Sequence, residues 1–510
     1  MKIKYVYFFA FLIVLATSVI FYFQKKPKKI SLIISGILQG NLSSPKEIGN
    51  EKNSLSGGVL FLGSYGKKLK KECRDSGSLP IWIDNGDNIS GTPDAYYTHG
   101  EAIINALGKI PFDAVMLGNR EFDYGKNTLF NLISQYGFFI GSNIIMETEK
   151  EKYPFKHIIK IPLGNGKNAL ILGITPPDTP VLTLKNNIKG LKFLSLKETL
   201  KKYKSDIKKS SFIIVITQFT MSDVDKRLNM FEQYGKIFFV VINVYDFNVT
   251  KPVKLSDRVY LLPHYGQSRG EVIEKMDLKL NGDKVLDLDF SRFSKKKCHY
   301  QPDGKIAQVV DDYRRRVDKI ISEEIGRSTM DFKIDNFNEM ALGSMIADWL
   351  INASGADICM INSNSMRVGL NKGSITREDL YRAFPFDNYW ILLKMKGKQI
   401  LKTIKSCYLW KKPVFQLGGC NILVDPNAKD PLISMKINGN EIDPEKEYKV
   451  VTNSFLAQGG DGYIEFFKSP IIKEGQDIRR LVEENIKKYS PISAKIKNRI
   501  IIQKKGDEKK

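Results

Sequence analysis

The sequence predicts an α/β protein of two folded domains behind an apolar amino-terminal helix. Three observations carry that reading. From Ile30 onward short apolar runs alternate with helical patterns, the segment 305–325 is amphipathic and free of Gly and Pro, and Tyr5 to Phe23 carries no charge. At roughly 150 residues per domain, 510 residues make two to four domains. Hydrophobic residues at 42% and charged residues at 26% are the proportions of a soluble folded body. They exclude a disordered chain, a collagen-like chain and a polytopic membrane protein.

The amino-terminal run YVYFFAFLIVLATSVIFYF is nineteen residues long, and at about 1.5 Å per residue a helix of that length spans a bilayer core of about 30 Å. Lys2 and Lys4 precede it, Lys25, Lys26, Lys28 and Lys29 follow it, and no small-x-small cleavage site ends it. The reading is a signal anchor or uncleaved signal peptide over 1–29. The lysines on its carboxyl side favour a cytoplasmic placement of that side, against export, so charge leaves the orientation open.

The buried-strand candidates follow in order: 30–35, 79–84, 112–117, 168–174, 211–217 and 236–242. Helical patterns at 99–107 and 196–204 lie among them, which predicts a sheet covered by helices with any site in the loops at the strand ends. In 305–325 the apolar residues Ile306, Val309, Val310, Tyr313, Val317, Ile320 and Ile321 recur at helical spacing. A second mixed region follows, with helices at 339–353 and 397–407 and a strand at 356–362. The predicted divisions are a first domain over 30–300, a linker helix over 301–326, a second domain over 327–503 and a disordered tail over 504–510.

The formal charge of +23 comes from 79 Lys and Arg against 56 Asp and Glu. The lysines are scattered, with no arginine-rich arm and no RNA-binding or helix-turn-helix pattern, so nucleic acid is not an expected partner while an anionic ligand is compatible. Cys73, Cys298, Cys359, Cys407 and Cys420 form no CxxC and leave room for one bridge. Histidines are scarce: His99, His157, His264 and His299.

Three loop motifs, in this order, are specific together: DNGDNISGTP with Asp87 after a strand, LGNREFDYG with Asn119 after the next, and NSFLAQGGDGY ending at Tyr463. With GGVLFLGSY (57–65), SNI (142–144), Glu339 to Gly343, NSNSMR (362–367), FPFDN (384–388) and YKVVTNSFL (448–456), the chain resembles the 5′-nucleotidase family from about Ile30 to Ile500. The resemblance implies a four-layer metallophosphoesterase-type sandwich joined by a linker helix to a smaller mixed α/β nucleotide-binding domain. It also implies hydrolysis of phosphate esters by two metal ions.

The family supplies the metals with an Asp-x-His loop, a bridging Asp, the Asn of GNHE, a later His and a His-x-His loop. In SGILQGNL, Ile37 and Gln39 stand at the first two positions. Asp87 and Asn119 match the next two, Arg120 replaces the His that assists the leaving group, and Asp123 matches the family's Asp. Gln218 stands at the later His, and Val244, Tyr245 and Asp246 stand at the His-x-His loop. The four histidines fall outside these positions, His264 lying in the loop next in order. A dinuclear centre is therefore not expected. Asp87, Asn119 and Asp246 offer oxygen donors alone, which suit a hard divalent cation held weakly, and no other cofactor is implied. Asp87 and Asn119 are equally well used to bond loop backbone. Arg120 at the old His position can meet a phosphate without metal, or pair with Glu121 or Asp123.

In the second domain the resemblance places a base against an aromatic ring at Phe455 and ribose on Asp461, with Arg367 on the nucleotide. Phe415, or Val414 just before it, stands at the second ring. Three functions follow: a noncatalytic binder of a nucleoside, nucleotide or other anion, a phosphohydrolase with a reduced oxygen-ligated metal site, or a protein-interaction scaffold. The expected location is extracytoplasmic, periplasm or cell surface, with the membrane as a partner of the amino-terminal helix.

Overall fold

A computed structural model of the chain describes residues 28–42, 57–147, 152–249, 251–282 and 284–503. The apolar segment 5–23 and the tail 504–510 lie outside these residues. Among the described residues no helix is long and apolar enough to cross a membrane. The chain divides into two compact units, Met1–Arg314 and Arg315–Lys510.

The apolar runs of the first unit become β1 (Lys28–Ser35), β2 (Leu79–Asp84), β3 (Ala114–Met116), β4 (Lys167–Ile174), β5 (Phe212–Thr217), β6 (Ile237–Val244) and β7 (Val259–Tyr265). They build two six-stranded sheets. The first runs Lys284–Ser294, Val272–Asn281, β1, β2, β3, Phe139–Ile140, and the second runs Val253–Lys254, β7, β6, β5, β4, Ile159–Gly164. The inner strands are parallel, β1 on β2 on β3 and β4 on β5 on β6 on β7.

Parallel strands buried on both faces read as unbroken apolar runs, because successive side chains point to opposite sides. Leu32 and Ile34 of β1 share one core with Ile214 and Ile216 of β5. Ile33 packs the other way, with Val59 and Leu62 of the helix Gly58–Asp75 and Ile103 of the helix Glu101–Leu107. Ile213 and Val215 likewise pack on Leu196, Leu200 and Ile207 of the helices Leu196–Lys202 and Lys204–Lys209. The order is thus helix, sheet, sheet, helix, a four-layer sandwich. The hairpin of Val272–Asn281 and Lys284–Ser294 has no unbroken apolar run and so gives no buried-strand signal, yet it extends the first sheet.

The amphipathic segment forms the helix Gly304–Ile321, within which the boundary of the two units falls. Its expected carboxyl end differs: Glu324 and Ile325 belong to the strand Glu324–Ser328, paired antiparallel with Gly373–Thr376, and Ile325 is buried. The second unit centres on a five-stranded sheet in the order Phe415–Gly418, Ile358–Asn362, Glu447–Asn453, Tyr389–Lys396, Ile471–Asp477. The helices Ala341–Ser354 and Ile478–Tyr489 contribute Ile346, Leu350, Leu481 and Val482 to the core that this sheet shares. All five cysteines are free thiols.

Candidate functional sites

The carboxyl ends of the parallel strands are where loops gather in open α/β sheets. After β1 the chain turns through Ile37 and Gln39, both in the left-handed region at φ 55° and 48°. This loop runs beside the loop after β2: the Ile37 amide donates to Gly86 O at 2.7 Å, Gln39 to Asp87 O at 3.0 Å and Gly40 to Asn88 O at 2.7 Å. Asp87 is itself left-handed at φ 57°. A β-branched residue rarely adopts such a backbone, so Ile37 marks a loop whose shape is set by its neighbour.

Glu121 holds the next loop in place. Its carboxylate, 1% exposed, accepts from Gly118 N at 2.8 Å, Asp87 N at 2.9 Å and Asn88 N at 2.7 Å. Burial, with the neighbouring Asp87 charge second, pushes its carboxyl up to about 8. Asp84, fully buried, accepts from Ser35 Oγ, Gly86 N and Asn88 Nδ2, and burial pushes it up as well. Gly118 is required because a methyl there would lie 2.3 Å from Asp87 Oδ1. Asp87 and Asn119 are brought together by these straps.

The loops enclose an open cleft of about 740 Å³. Its wall includes Ile37, Gln39, Asp87, Asn119, Arg120 and Gln218, residues that the sequence resemblance assigns to metal and His positions. Asp87 Oδ1 accepts from the Arg120 amide at 3.2 Å. Burial raises the Asp87 carboxyl, while the Arg120 charge and the nearby Gln218 amide oppose the rise. Gln218 Nε2 donates to Asn85 O at 3.3 Å. Arg120 lies 3.9 Å from Asp123 Oδ2, which accepts from Ser90 Oγ at 2.5 Å.

Asp246, the third expected oxygen donor, is not in the wall. Its Oδ1 accepts from Asn248 N at 2.8 Å and closes a turn. Asn243 and Tyr245 face the cleft instead, because residues two apart on a strand share a face and the wall uses the other set. Asp87 and Asn119 alone remain of the expected set, and among the described residues no group of three or more His, Cys, Asp or Glu is arranged to hold a metal ion. This donor set does not fit a dinuclear centre, nor a firmly held single cation, since metal affinity follows ligand number and charge.

None of the histidines joins the wall. His264 is fully buried with Nδ1 2.8 Å from Glu274 Oε2, and Glu274 also binds Arg292 Nε at 3.1 Å. Arg292 covers the Phe247 ring at 5.0 Å and donates to Val249 O, tethering the loop that carries Tyr245. Sequence spacing gives no signal for this His–Glu–Arg chain, whose members come from three strands, one of the second sheet and two of the first.

In the second unit the turn 459–463 brings Phe455 and Asp461 together. Gly460 lies against the Phe455 ring, where a methyl would sit 2.6 Å from it, and the ring is still 43% exposed. Asp461, at φ 55°, accepts from Asn362 Nδ2 at 3.3 Å, and its carbonyl accepts from Lys412 Nζ. Lys412 also lies over Trp410 at 4.5 Å and Tyr463 at 5.1 Å. Arg367 is exposed, its guanidinium 5.1 Å from the Phe386 ring. Phe415 is 4% exposed and packs on Tyr463 at 4.8 Å and Phe466 at 5.9 Å. It is a core ring, and Val414 is buried too, so neither offers a second stacking face. Trp410 and Lys412, which the motif reading omitted, are the exposed aromatic and the cation beside Asp461.

Comparison with known proteins fits this geometry. The family model described as 5′-nucleotidase, C-terminal domain matches residues 322–469. The chain is 22% identical over 453 residues to endonuclease YhcR of Bacillus subtilis, covering 82% of this chain and 36% of that protein. It is 22% identical over 482 residues to the 5′-nucleotidase of Vibrio cholerae, covering 83% and 85%. Among solved structures, the 5′-nucleotidase precursor of Thermus thermophilus superposes with a TM-score of 0.62 at 19% identity, over 93% of this chain and 99% of that one. That likeness establishes the fold.

Proposed function

We propose that this chain, a member of the 5′-nucleotidase family, is a noncatalytic binder of a nucleoside or nucleotide, placed outside the cytoplasm and held at the membrane by its amino-terminal segment. The observation that supports the reading is the lining of the first unit's cleft, where Ile37, Gln39, Gln218 and Arg120 gather, the residues that the resemblance assigns to metal-binding and proton-donating positions. A phosphoryl transfer without a metal or a general acid lacks both means of stabilising its leaving group.

The binding half of the reading rests on the second unit. An exposed Phe face stacks on any base, and a carboxylate accepts from ribose hydroxyls. Phe455 and Asp461 supply the two within one turn, and Arg367 adds an exposed cation. With one open ring at Phe455, the base is held on one face. A phosphohydrolase with a reduced metal site is the rival reading, favoured by the activity named for the Vibrio relative.

The test of the binding half is calorimetric titration of adenosine and AMP into the full-length chain in detergent. Phe455→Ala is expected to weaken both by about tenfold or more, as the loss of one base–ring stack does. Affinity indifferent to Phe455→Ala contradicts the assignment.

A further inference from the structure

Five amides stand in the polar wall of the first unit's cleft, as many as its charged side chains: Gln39, Asn119, Gln218, Asn243 and Gln267. A primary amide both donates and accepts. A set of them matches a ligand whose groups also do both, which is the property of a hydroxyl. Phosphate oxygens accept and ammonium groups donate, so each would leave half of every amide unmatched.

Charge leads to the same ligand class. Two guanidinium groups, Arg120 and Arg227, line the cleft with three carboxylates, Asp87, Asp178 and Asp223. Arg227 Nη1 lies 3.5 Å from Asp223 Oδ1, and Arg120 lies beside Asp123. The wall therefore holds no surplus positive charge to draw an anion. A metal ion meets a different obstacle, for Asp87 Oδ1 is engaged by the Arg120 amide and no group of three or more His, Cys, Asp or Glu among the described residues is arranged to hold one.

The rim supplies an apolar face. Tyr245 is 61% exposed, and its ring lies on Gly266, where a methyl would approach it to 3.0 Å. Arg292, bonded to buried Glu274, fixes the loop that follows it. An exposed ring beside hydrogen-bonding amides complements a sugar, whose ring has C–H faces and a hydroxyl edge. At about 740 Å³ the cleft is of ordinary small-ligand size.

The geometry points to a metal-independent binding site for a neutral, hydroxyl-rich ligand of the mono- or oligosaccharide class, with Gln39 and Gln218 bonding its hydroxyls and Tyr245 covering one face. This site is separate from the nucleoside-binding turn of the second unit and does not depend on it.

The test uses the full-length chain in a detergent without a sugar headgroup. Saturation-transfer NMR is recorded with glucose, galactose, N-acetylglucosamine and cellobiose, and with glucose 6-phosphate and inorganic phosphate as charged counterparts, each with and without EDTA. At least one neutral sugar is expected to bind, unaffected by EDTA and not displaced by phosphate. Gln39→Ala and Tyr245→Ala should each weaken that binding about tenfold, as loss of a hydrogen bond or a ring face does, with the thermal midpoint unchanged. Phe455→Ala should leave it intact. Silence from every neutral sugar overturns the inference. So does preference for the phosphorylated sugar or phosphate, a requirement for a divalent cation, or indifference to both cleft variants.

Discussion

The cleft of the first unit and the glycine-rich turn of the second differ in how a fixed backbone frame relates to the side chains it presents. In the cleft the backbone is firmly fixed, with Ile37, Gln39 and Asp87 in left-handed conformations and Glu121 strapping three amides, while the groups facing the ligand space are amides, two arginines and three carboxylates. In the turn the presented side chains are an open ring, Phe455, and the Asp461 carboxylate bonded to Asn362. The contrast teaches that a loop frame and its chemistry are separately encoded. Buried hydrogen bonds hold the frame whatever lines the cleft, because leaving three buried amides unpaired costs more than any change on the wall.

Glu121 is where the frame of the first region yields most. Glu121→Ala removes the acceptor of three buried N–H groups, and at about 1 to 3 kcal/mol for each unsatisfied group the expected loss is at least about 3 kcal/mol, read by denaturant unfolding. Adenosine binding by the second unit should persist under native conditions. The same residue gives a pH signature. Its carboxyl is raised from 4.5 to about 8 in the folded chain, so the folded state keeps a proton that the unfolded state releases. The stabilising contribution is then full below pH 4.5 and is lost as pH rises toward 8. Asp87 and Asp84 are raised in the same direction. Glu121→Gln should flatten the slope of stability against pH across that window, and an unchanged slope would remove Glu121 from the explanation.

In the second region the larger effect belongs to the open ring: Phe455→Ala is expected to cost about 1 to 3 kcal/mol of nucleoside affinity with little change in stability. Phe415→Leu inverts the pattern. It should lower stability by about 1 kcal/mol through lost packing on Tyr463 and Phe466 and leave nucleoside affinity unchanged. If titration of that variant shows weakened binding, Phe415 is a stacking residue after all.

Much of the first unit was legible because parallel strands buried on two faces leave unbroken apolar runs, as at 30–35, 79–84 and 211–217. The hairpin of Val272–Asn281 was not, since alternating burial gives polar residues at every second place. The end of the linking helix was missed because pairing with Gly373–Thr376 draws Glu324 and Ile325 into a strand, a long-range contact that local periodicity does not contain. In the cleft, motif order located Asp87, Asn119, Arg120 and Gln218, but Asp246 was one residue out of phase with Asn243 and Tyr245. On a strand such a slip exchanges faces. Phe415 failed for a related reason: the motif gives its position but not its burial against Tyr463.

The measurement that decides most is phosphate release from AMP by the full-length chain, supplied in turn with Mn²⁺, Co²⁺, Zn²⁺, Mg²⁺ and Ca²⁺, with Asp87→Ala alongside. A cleft in which Asp87 and Asn119 alone remain of the expected metal donors predicts no release with any of these ions. Release that depends on one of them and disappears in Asp87→Ala would contradict it and establish a working metal centre.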